Sequence, residues 1–202
     1  MKPTNKLMKR LSLYLFLIFF TLPTSSQADD IRDFQIEGMS IGDSLLDYFS
    51  RDKILSEYIY PNKKFSSHFG TGENFKVYEG FQVFYLSNDD KYIIHYVAGI
   101  NLYKNNKINK CYEKMYEIAE EIKSQLSFDH YDDSGKIENP FKKDTKNISH
   151  NLRFSFKDGD NITIACMDYH EDLVKDGYVD KLTVSVRSKE FVNFLSSGEA
   201  YR

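Results

Sequence analysis

The sequence of 202 residues lacks several features that mark the larger functional classes. It contains no Trp, four Pro and two Cys, and only one long apolar run. No Cys-x-x-Cys or His-x-x-x-His pair supplies half of a zinc site, and the acidic loops at residues 129–133 and 168–172 do not have the ligand order of an EF-hand. Lys and Arg form no basic stripe along the sequence, so the sequence does not predict a basic surface that would bind nucleic acid. We therefore expect no metal, no cofactor and no nucleic-acid partner, with a cation in an acidic loop as the alternative.

The first 28 residues have the pattern of a cleaved signal peptide. A basic segment precedes an apolar run over residues 11–22, and Ser26 and Ala28 place small side chains where a signal peptidase cleaves. The run is shorter than the ~20 residues that span a bilayer, and no second run approaches that length. No cysteine lies directly behind it to carry a lipid anchor. The sequence predicts export to the periplasm or exterior of a Gram-negative bacterium, with a retained anchor as the alternative.

Cleavage after Ala28 leaves residues 29–202, a length typical of a single domain. It removes four basic residues and no acidic one, which leaves 23 Lys and Arg against 30 Asp and Glu, a net charge of about −7. An acidic surface is not attracted to anionic membranes. The prediction is one secreted domain with no membrane span after cleavage.

The two cysteines, Cys111 and Cys166, are expected to form a disulfide, because an exported chain meets an oxidising compartment. Cys111 lies on the apolar face of a helical pattern, and Cys166 lies on the same side of its predicted strand as Ile162 and Ile164. Both sulfurs should therefore point into one core. The bridge would close a loop of 56 residues, which chain entropy values at ~4 kcal/mol. Two free buried thiols, half of a metal site and a catalytic cysteine are the alternatives.

Hydrophobic periodicity predicts a domain of the α+β class. Apolar residues recur every three to four positions over 108–126, which predicts one long helix. Residues 88–90 (Asn-Asp-Asp) and 157–160 (Lys-Asp-Gly-Asp) separate β-rich runs and predict two hairpins. The other expected elements are an extended segment 34–42, a short helix 44–58, strands 78–87, 91–104, 151–156, 161–169 and 180–188, and a C-terminal helix started by Ser188.

This order of elements predicts an antiparallel sheet of about five or six strands, with one long and one or two short helices packed on one face. Residues 61–77 and 127–150 are polar, and we interpret them as long loops.

A serine block stands at the start of the predicted short helix. Residues 42–45 (Gly-Asp-Ser-Leu), with Asp47 three residues after the serine, resemble the block that names the GDSL hydrolases. The resemblance implies a Ser44 nucleophile on a doubly wound parallel sheet. Asp168 and His170 would complete the catalytic set, since a serine needs a histidine to take its proton.

The other blocks of that family depart from its pattern. Leu86 stands where a glycine is required, and the last block, residues 168–170, is one residue short. The segment before Ser44 is half polar, whereas a buried parallel strand is nearly all apolar. Ser44 followed three residues later by an acid is also the spacing of a helix capping box. We interpret Ser44 as a cap and predict no catalytic residues, with a GDSL-like serine esterase or lipase as the alternative.

Residues 34–40 (Phe-Gln-Ile-Glu-Gly-Met-Ser) form an extended segment that leads into the predicted helix. This segment resembles the start of SmpA/OmlA-type and β-lactamase-inhibitor-like modules, and its Ile-Gly-Asp-Ser continuation is similar to small exported bacterial proteins. The resemblance implies an envelope domain with helices on an antiparallel sheet that binds other proteins without catalysis. It transfers no binding residue.

Tyrosines give the one positive indication of a partner surface. Tyr85, Tyr92, Tyr96 and Tyr103 lie on neighbouring predicted strands, and tyrosine is enriched in protein interfaces. Core packing is the alternative use of these side chains. We predict an exported, non-catalytic module that binds an envelope protein or a small ligand.

Overall fold

A computed structural model describes residues 31–54, 56–57, 60–71, 75–104, 107–139 and 146–202. The predicted signal peptide, residues 1–28, lies outside the described residues. The strands are β1 (Phe65–Gly70), β2 (Gly80–Leu86), β3 (Ile94–Tyr103), β4 (His130–Asn139), β5 (Asn147–Ser155), β6 (Asn161–Asp168) and β7 (Asp180–Arg187). The helices are α1 (Ile108–Gln125), α2 (Glu171–Lys175) and α3 (Lys189–Ser196). Within these ranges, no helix is both long and apolar enough to cross a membrane.

The seven strands form one antiparallel sheet in the order β1-β2-β3-β7-β6-β5-β4. The central pair is β3 and β7, where Tyr96 pairs with Arg187 and Tyr103 with Asp180. The two predicted hairpins are confirmed as β2–β3 and β5–β6. The α+β class with an antiparallel sheet is therefore confirmed.

One side of the sheet, called the helix face here, packs against α1. Val97 of β3, Ile164 of β6 and Val184 of β7 point to this side and are buried in one cluster with Met115 of α1. The predicted disulfide is confirmed, since Cys111 of α1 is bonded to Cys166 of β6 and both residues are fully buried. The long helix is thus held to the middle of the sheet by apolar packing and by one covalent bond.

The other side, called the open face here, packs against α3. Phe191 and Phe194 of α3 form a second cluster with Phe65, Phe84 and Tyr96. Tyr96 precedes Val97 on β3, and successive side chains of a strand point to opposite faces. The two longest helices therefore lie on opposite faces of the sheet, and the expectation that the helices share one face is wrong.

Two strands occupy segments that we interpreted as loops. β1 lies within residues 61–77 and β4 within residues 127–150, so the sheet has seven strands rather than five or six. Both are edge strands, which have one neighbour and tolerate polar sequences. In β4 the pairing with β5 is interrupted between Asp133 and Lys136, and such a bulge at a charged edge opposes pairing with other chains.

The predicted helix over residues 44–58 is reduced, in the described part, to the single turns Leu45–Asp47 and Arg51–Lys53. Backbone hydrogen bonds to the start of β3 explain the difference. The Gly42 N–H donates to the Ile94 carbonyl oxygen, and the Leu45 N–H donates to the Tyr92 carbonyl oxygen. A segment tied to a strand in this way cannot also continue as a helix.

Candidate functional site

Ser44 lies at the beginning of the turn Leu45–Asp47, and its side chain is engaged with the backbone. Its Oγ donates to the Lys91 carbonyl oxygen at 2.7 Å and accepts from the Leu46 N–H at 3.2 Å. The second bond is that of an N-cap, which confirms the capping interpretation of Ser44. The neighbouring carboxylate of Asp43 accepts from the Ser40 N–H at 2.8 Å.

Asp168 and His170 lie at the opposite end of the sheet from Ser44. Ser44 bridges Ile93 beside the start of β3, where β7 ends and β6 begins. Asp168 is the last residue of β6, which has 8 residues, a length of about 24 Å at ~3.4 Å per residue. The Nδ1 of His170 accepts from the Asp172 N–H at 3.4 Å at the start of α2. The structure therefore does not bring these three side chains together.

The four tyrosines proposed as an interface are divided between the two faces. Tyr85, Tyr92 and Tyr103 pack against the helix-face core, whereas Tyr96 lies in the cluster under α3. Tyr85 and Tyr96 are buried, and the Tyr85 hydroxyl lies 2.6 Å from Ser56 Oγ. Buried side chains in two separate cores do not form one exposed surface, so at least Tyr85 and Tyr96 serve packing.

The acidic segments hold no arrangement of metal ligands in the residues that the structure describes. Asp133 of β4 lies 2.6 Å from His150 Nε2 of β5 and accepts a hydrogen bond from it. Burial alone would raise the pKa of Asp133, but the hydrogen bonds from the Gly135 N–H and from His150 together lower it. Burial and the neighbouring Asp180 raise the pKa of Asp168. The Asp133 carboxylate is therefore used in local structure.

A groove of about 670 Å³ lies on the open face, at the end of the sheet that α3 does not cover. On its floor Ile100 of β3 pairs with Gly80 of β2, and Leu102 of β3 pairs with Lys181 of β7. Phe69 of β1 forms a wall and is 44% exposed, and Leu102 is 38% exposed. Large apolar side chains are thus grouped on a surface that no described helix covers.

Two glycines line one side of this groove. A Cβ on Gly80 would lie 3.2 Å from the Gly70 carbonyl oxygen, and a Cβ on Gly70 would lie 3.2 Å from the Phe81 ring. Because Gly80 has no side chain, β1 and β2 approach closely at this end of the groove. The Phe81 ring beside Gly70 packs in the helix-face cluster on the other side of the sheet. The groove is therefore built by particular residues of β1 and β2.

Among the residues that the structure describes, Lys181 is the one basic side chain that lines the groove. It is half-buried, with Leu102 and Met167 as its neighbours across the two adjoining strands. Burial lowers the pKa of its ammonium group, and no described charge offsets that effect. Glu79 also lines the groove, but its carboxylate accepts from the Leu102 N–H at 3.3 Å.

A half-buried ammonium among apolar side chains is unfavourable without an anionic partner. Apolar walls and one cation suit a ligand that has an apolar body and one acidic group. The volume lies within the ~300–1,000 Å³ of small-molecule sites.

Sequence reasoning missed Lys181 and Phe69. Phe69 lies in a segment interpreted as a loop, and the alternation of β7 assigned Lys181 only to the polar side of its strand. The neighbours of Lys181 on β3 and β6 could be known only from the order of strands in the sheet.

Comparisons with protein-family models, with curated proteins and with solved structures each find no match to this chain.

Proposed function

We propose that this protein is an exported, non-catalytic binding module whose ligand is a small amphipathic carboxylate, held in the groove on the open face. The observation that carries the proposal is Lys181, an ammonium group in an apolar groove to which no described carboxylate is paired. A carboxylate ligand supplies the missing charge and forms a charge-assisted hydrogen bond.

The apolar walls supply most of the binding free energy. Burial of a methylene contributes about 0.8 kcal/mol, so five or six methylenes against Phe69, Ile100 and Leu102 contribute about 4–5 kcal/mol. A binding free energy of this size corresponds to a dissociation constant in the millimolar range. The ion pair with Lys181 should lower the dissociation constant further, because the ammonium group is already partly desolvated.

Export is supported by the disulfide between Cys111 and Cys166, because disulfides are rare in reducing compartments. The predicted signal peptide supplies the route. We expect the protein from periplasmic extracts to begin at Asp29, as measured by intact mass. A cytoplasmic protein that retains residues 1–28 would contradict the export part of the proposal.

Binding is tested with decanoate, with decanol as the neutral ligand of equal chain length, by titration calorimetry on the mature protein. Decanoate should bind more tightly than decanol. In Lys181→Met decanoate should bind at least tenfold more weakly, a loss of about 1.4 kcal/mol, whereas decanol should bind at least as well. Lys110→Met is the matched control, since Lys110 is exposed on α1 and its removal should change neither affinity.

Equal binding of decanoate by the wild type and Lys181→Met would show that Lys181 is not the carboxylate site. No binding of either ligand by the wild type would remove the ligand class and favour an envelope protein as the partner of this face.

A second measurement checks that Lys181 is desolvated in the absence of ligand. Because the pKa of Lys181 is lowered in the folded state, the unfolded chain binds more protons between that pKa and the ordinary value near 10.4. The free energy of unfolding should therefore rise with pH in that window for the wild type relative to Lys181→Met. Urea unfolding between pH 7 and 10 measures the difference, and parallel curves would contradict the desolvation.

A further inference from the structure

A second half-buried cation lies on the open face, at the other end of β7. Arg187 pairs with Tyr96 of β3 and Asn161 of β6. Its Nε donates to Ser185 Oγ at 3.2 Å, and its guanidinium carbon lies 5.7 Å from the centroid of the Tyr96 ring. Stacking and one neutral hydrogen bond hold the side chain in place and leave both Nη groups without an acceptor among the described residues.

The surroundings of Arg187 contain no compensating charge in the described part of the chain. Burial lowers the pKa of its guanidinium, and the neighbouring Arg153 lowers it further, while only the hydroxyls of Tyr96 and Tyr60 oppose this. Tyrosine hydroxyls are neutral at pH 7, since burial raises the pKa of Tyr60 to about 12. A guanidinium in such a place is normally paired with an anion.

Arg153 of β5 lies near Arg187 on the open face. It pairs with Thr163 of β6, which pairs with Ser185 of β7, so Arg153 lies two strands away from Ser185 on the open face. On its other side Arg153 faces Asp132 of β4 in the register, yet no ion pair joins the two side chains. The register therefore places Arg153 and Arg187 on the same face, two strands apart, with Asn161 and Thr163 of β6 between them.

We propose that Arg187 and Arg153 form a binding site for a phosphate dianion, either inorganic phosphate or a phosphate monoester. Two guanidinium groups match the charge of about −1.5 to −2 that a phosphate monoester carries at pH 7, whereas a carboxylate or a phosphate diester supplies one charge. Planar guanidinium forks bind phosphate oxygens in pairs. Arg187 supplies the preorganised fork, and Arg153, which is exposed, supplies the second charge.

This site is separate from the groove at Lys181. Arg187 is six residues after Lys181 on β7, a distance of about 20 Å at ~3.4 Å per residue. The proposal therefore goes beyond the carboxylate site, and either proposal can fail while the other holds.

The test measures inorganic phosphate and glycerol 1-phosphate binding to the mature protein by calorimetry at constant ionic strength, with acetate and dimethyl phosphate as singly charged controls. Both dianions should bind, and both controls should bind at least tenfold more weakly. Arg187→Lys, which keeps the charge and loses the fork, should bind the dianions about tenfold more weakly. Arg153→Gln should reduce their affinity severalfold, and Lys110→Gln should have no effect.

Tighter binding of glycerol 1-phosphate than of inorganic phosphate would identify the monoester as the ligand, and the reverse would identify the free ion. Phosphate binding that is equal in the wild type, Arg187→Lys and Arg153→Gln would overturn the proposal, as would equal binding of acetate. Arg153→Gln keeps the test decisive if Arg187→Lys does not fold, because Arg153 is exposed.

Discussion

The two faces of the sheet are built in different ways from the same seven strands. The helix face carries the 18-residue helix α1, the disulfide and a large buried cluster that includes Met115, Ile164 and Val184. The open face carries the 8-residue helix α3 over one end of the sheet, with a small cluster around Phe191. Lys181 lies at the end of the sheet that α3 does not cover, and Arg187 lies at the other end, next to Tyr96 of the α3 cluster.

We infer that the helix face serves stability, and we propose that the open face serves binding. The helix face is apolar, covered and crosslinked, and it holds the fold together. The open face keeps partly buried cations that a protein selected for stability alone would replace, since an unpaired buried charge is unfavourable. Substitutions on the helix face should therefore change the free energy of unfolding, whereas Lys181 and Arg187 should mainly control ligand binding.

The largest effect is expected from removal of the disulfide on the helix face. The double variant Cys111→Ala, Cys166→Ala loses a crosslink between residues 55 apart, which should lower the free energy of unfolding by about 4 kcal/mol. Urea unfolding measures the change. Wild-type protein kept reduced should unfold at a similar urea concentration, and a loss below 1 kcal/mol would place the stability of the fold elsewhere.

On the open face, Phe191→Ala should lower the free energy of unfolding by about 3–4 kcal/mol. Phe191 is 1% exposed, and its ring lies 5.0 Å from Phe84 and 5.1 Å from Phe65, between centroids. Hydrogen exchange should show faster opening of α3 while α1 stays protected. Val174→Ala, at a residue 47% exposed, is the control and should change the free energy by under about 0.5 kcal/mol.

Equal loss of protection in α1 and α3 for Phe191→Ala would mean that the two faces unfold as one cooperative unit. The two faces would then differ in the side chains they carry, but they would not open independently of each other.

The helix face could be predicted largely from the sequence. The period of apolar residues in α1, the position of Cys166 beside Ile164, and the turn at residues 157–160 are local signals, and each was confirmed. These features depend on neighbours in sequence, which a periodicity argument can use.

The open face could not be predicted in the same way. β1 and β4 are edge strands with polar sequences, so they have no alternation to detect. The environment of Lys181 depends on Leu102 and Met167, which adjoin it only because β7 lies between β3 and β6. The order of strands is a property of the whole sheet, and the sequence predicted an antiparallel sheet without that order.

The smallest effect is expected at Ser44, which lies beside the start of β3. Ser44→Ala removes the cap bond to the Leu46 N–H and the bond to the Lys91 carbonyl oxygen, and should lower the free energy of unfolding by about 1 kcal/mol. Ser50→Ala is the matched control, because Ser50 precedes a similar turn without a side-chain cap bond.

The same pair of variants tests the chemistry that residues 42–45 suggest. A fluorophosphonate probe should not label the wild type, since the Ser44 hydroxyl is bonded to the backbone and lies far from His170, the histidine that would have to take its proton. Labelling that Ser44→Ala abolishes and Ser50→Ala preserves would contradict the capping role. It would also require a base other than His170, because His170 lies at the other end of β6.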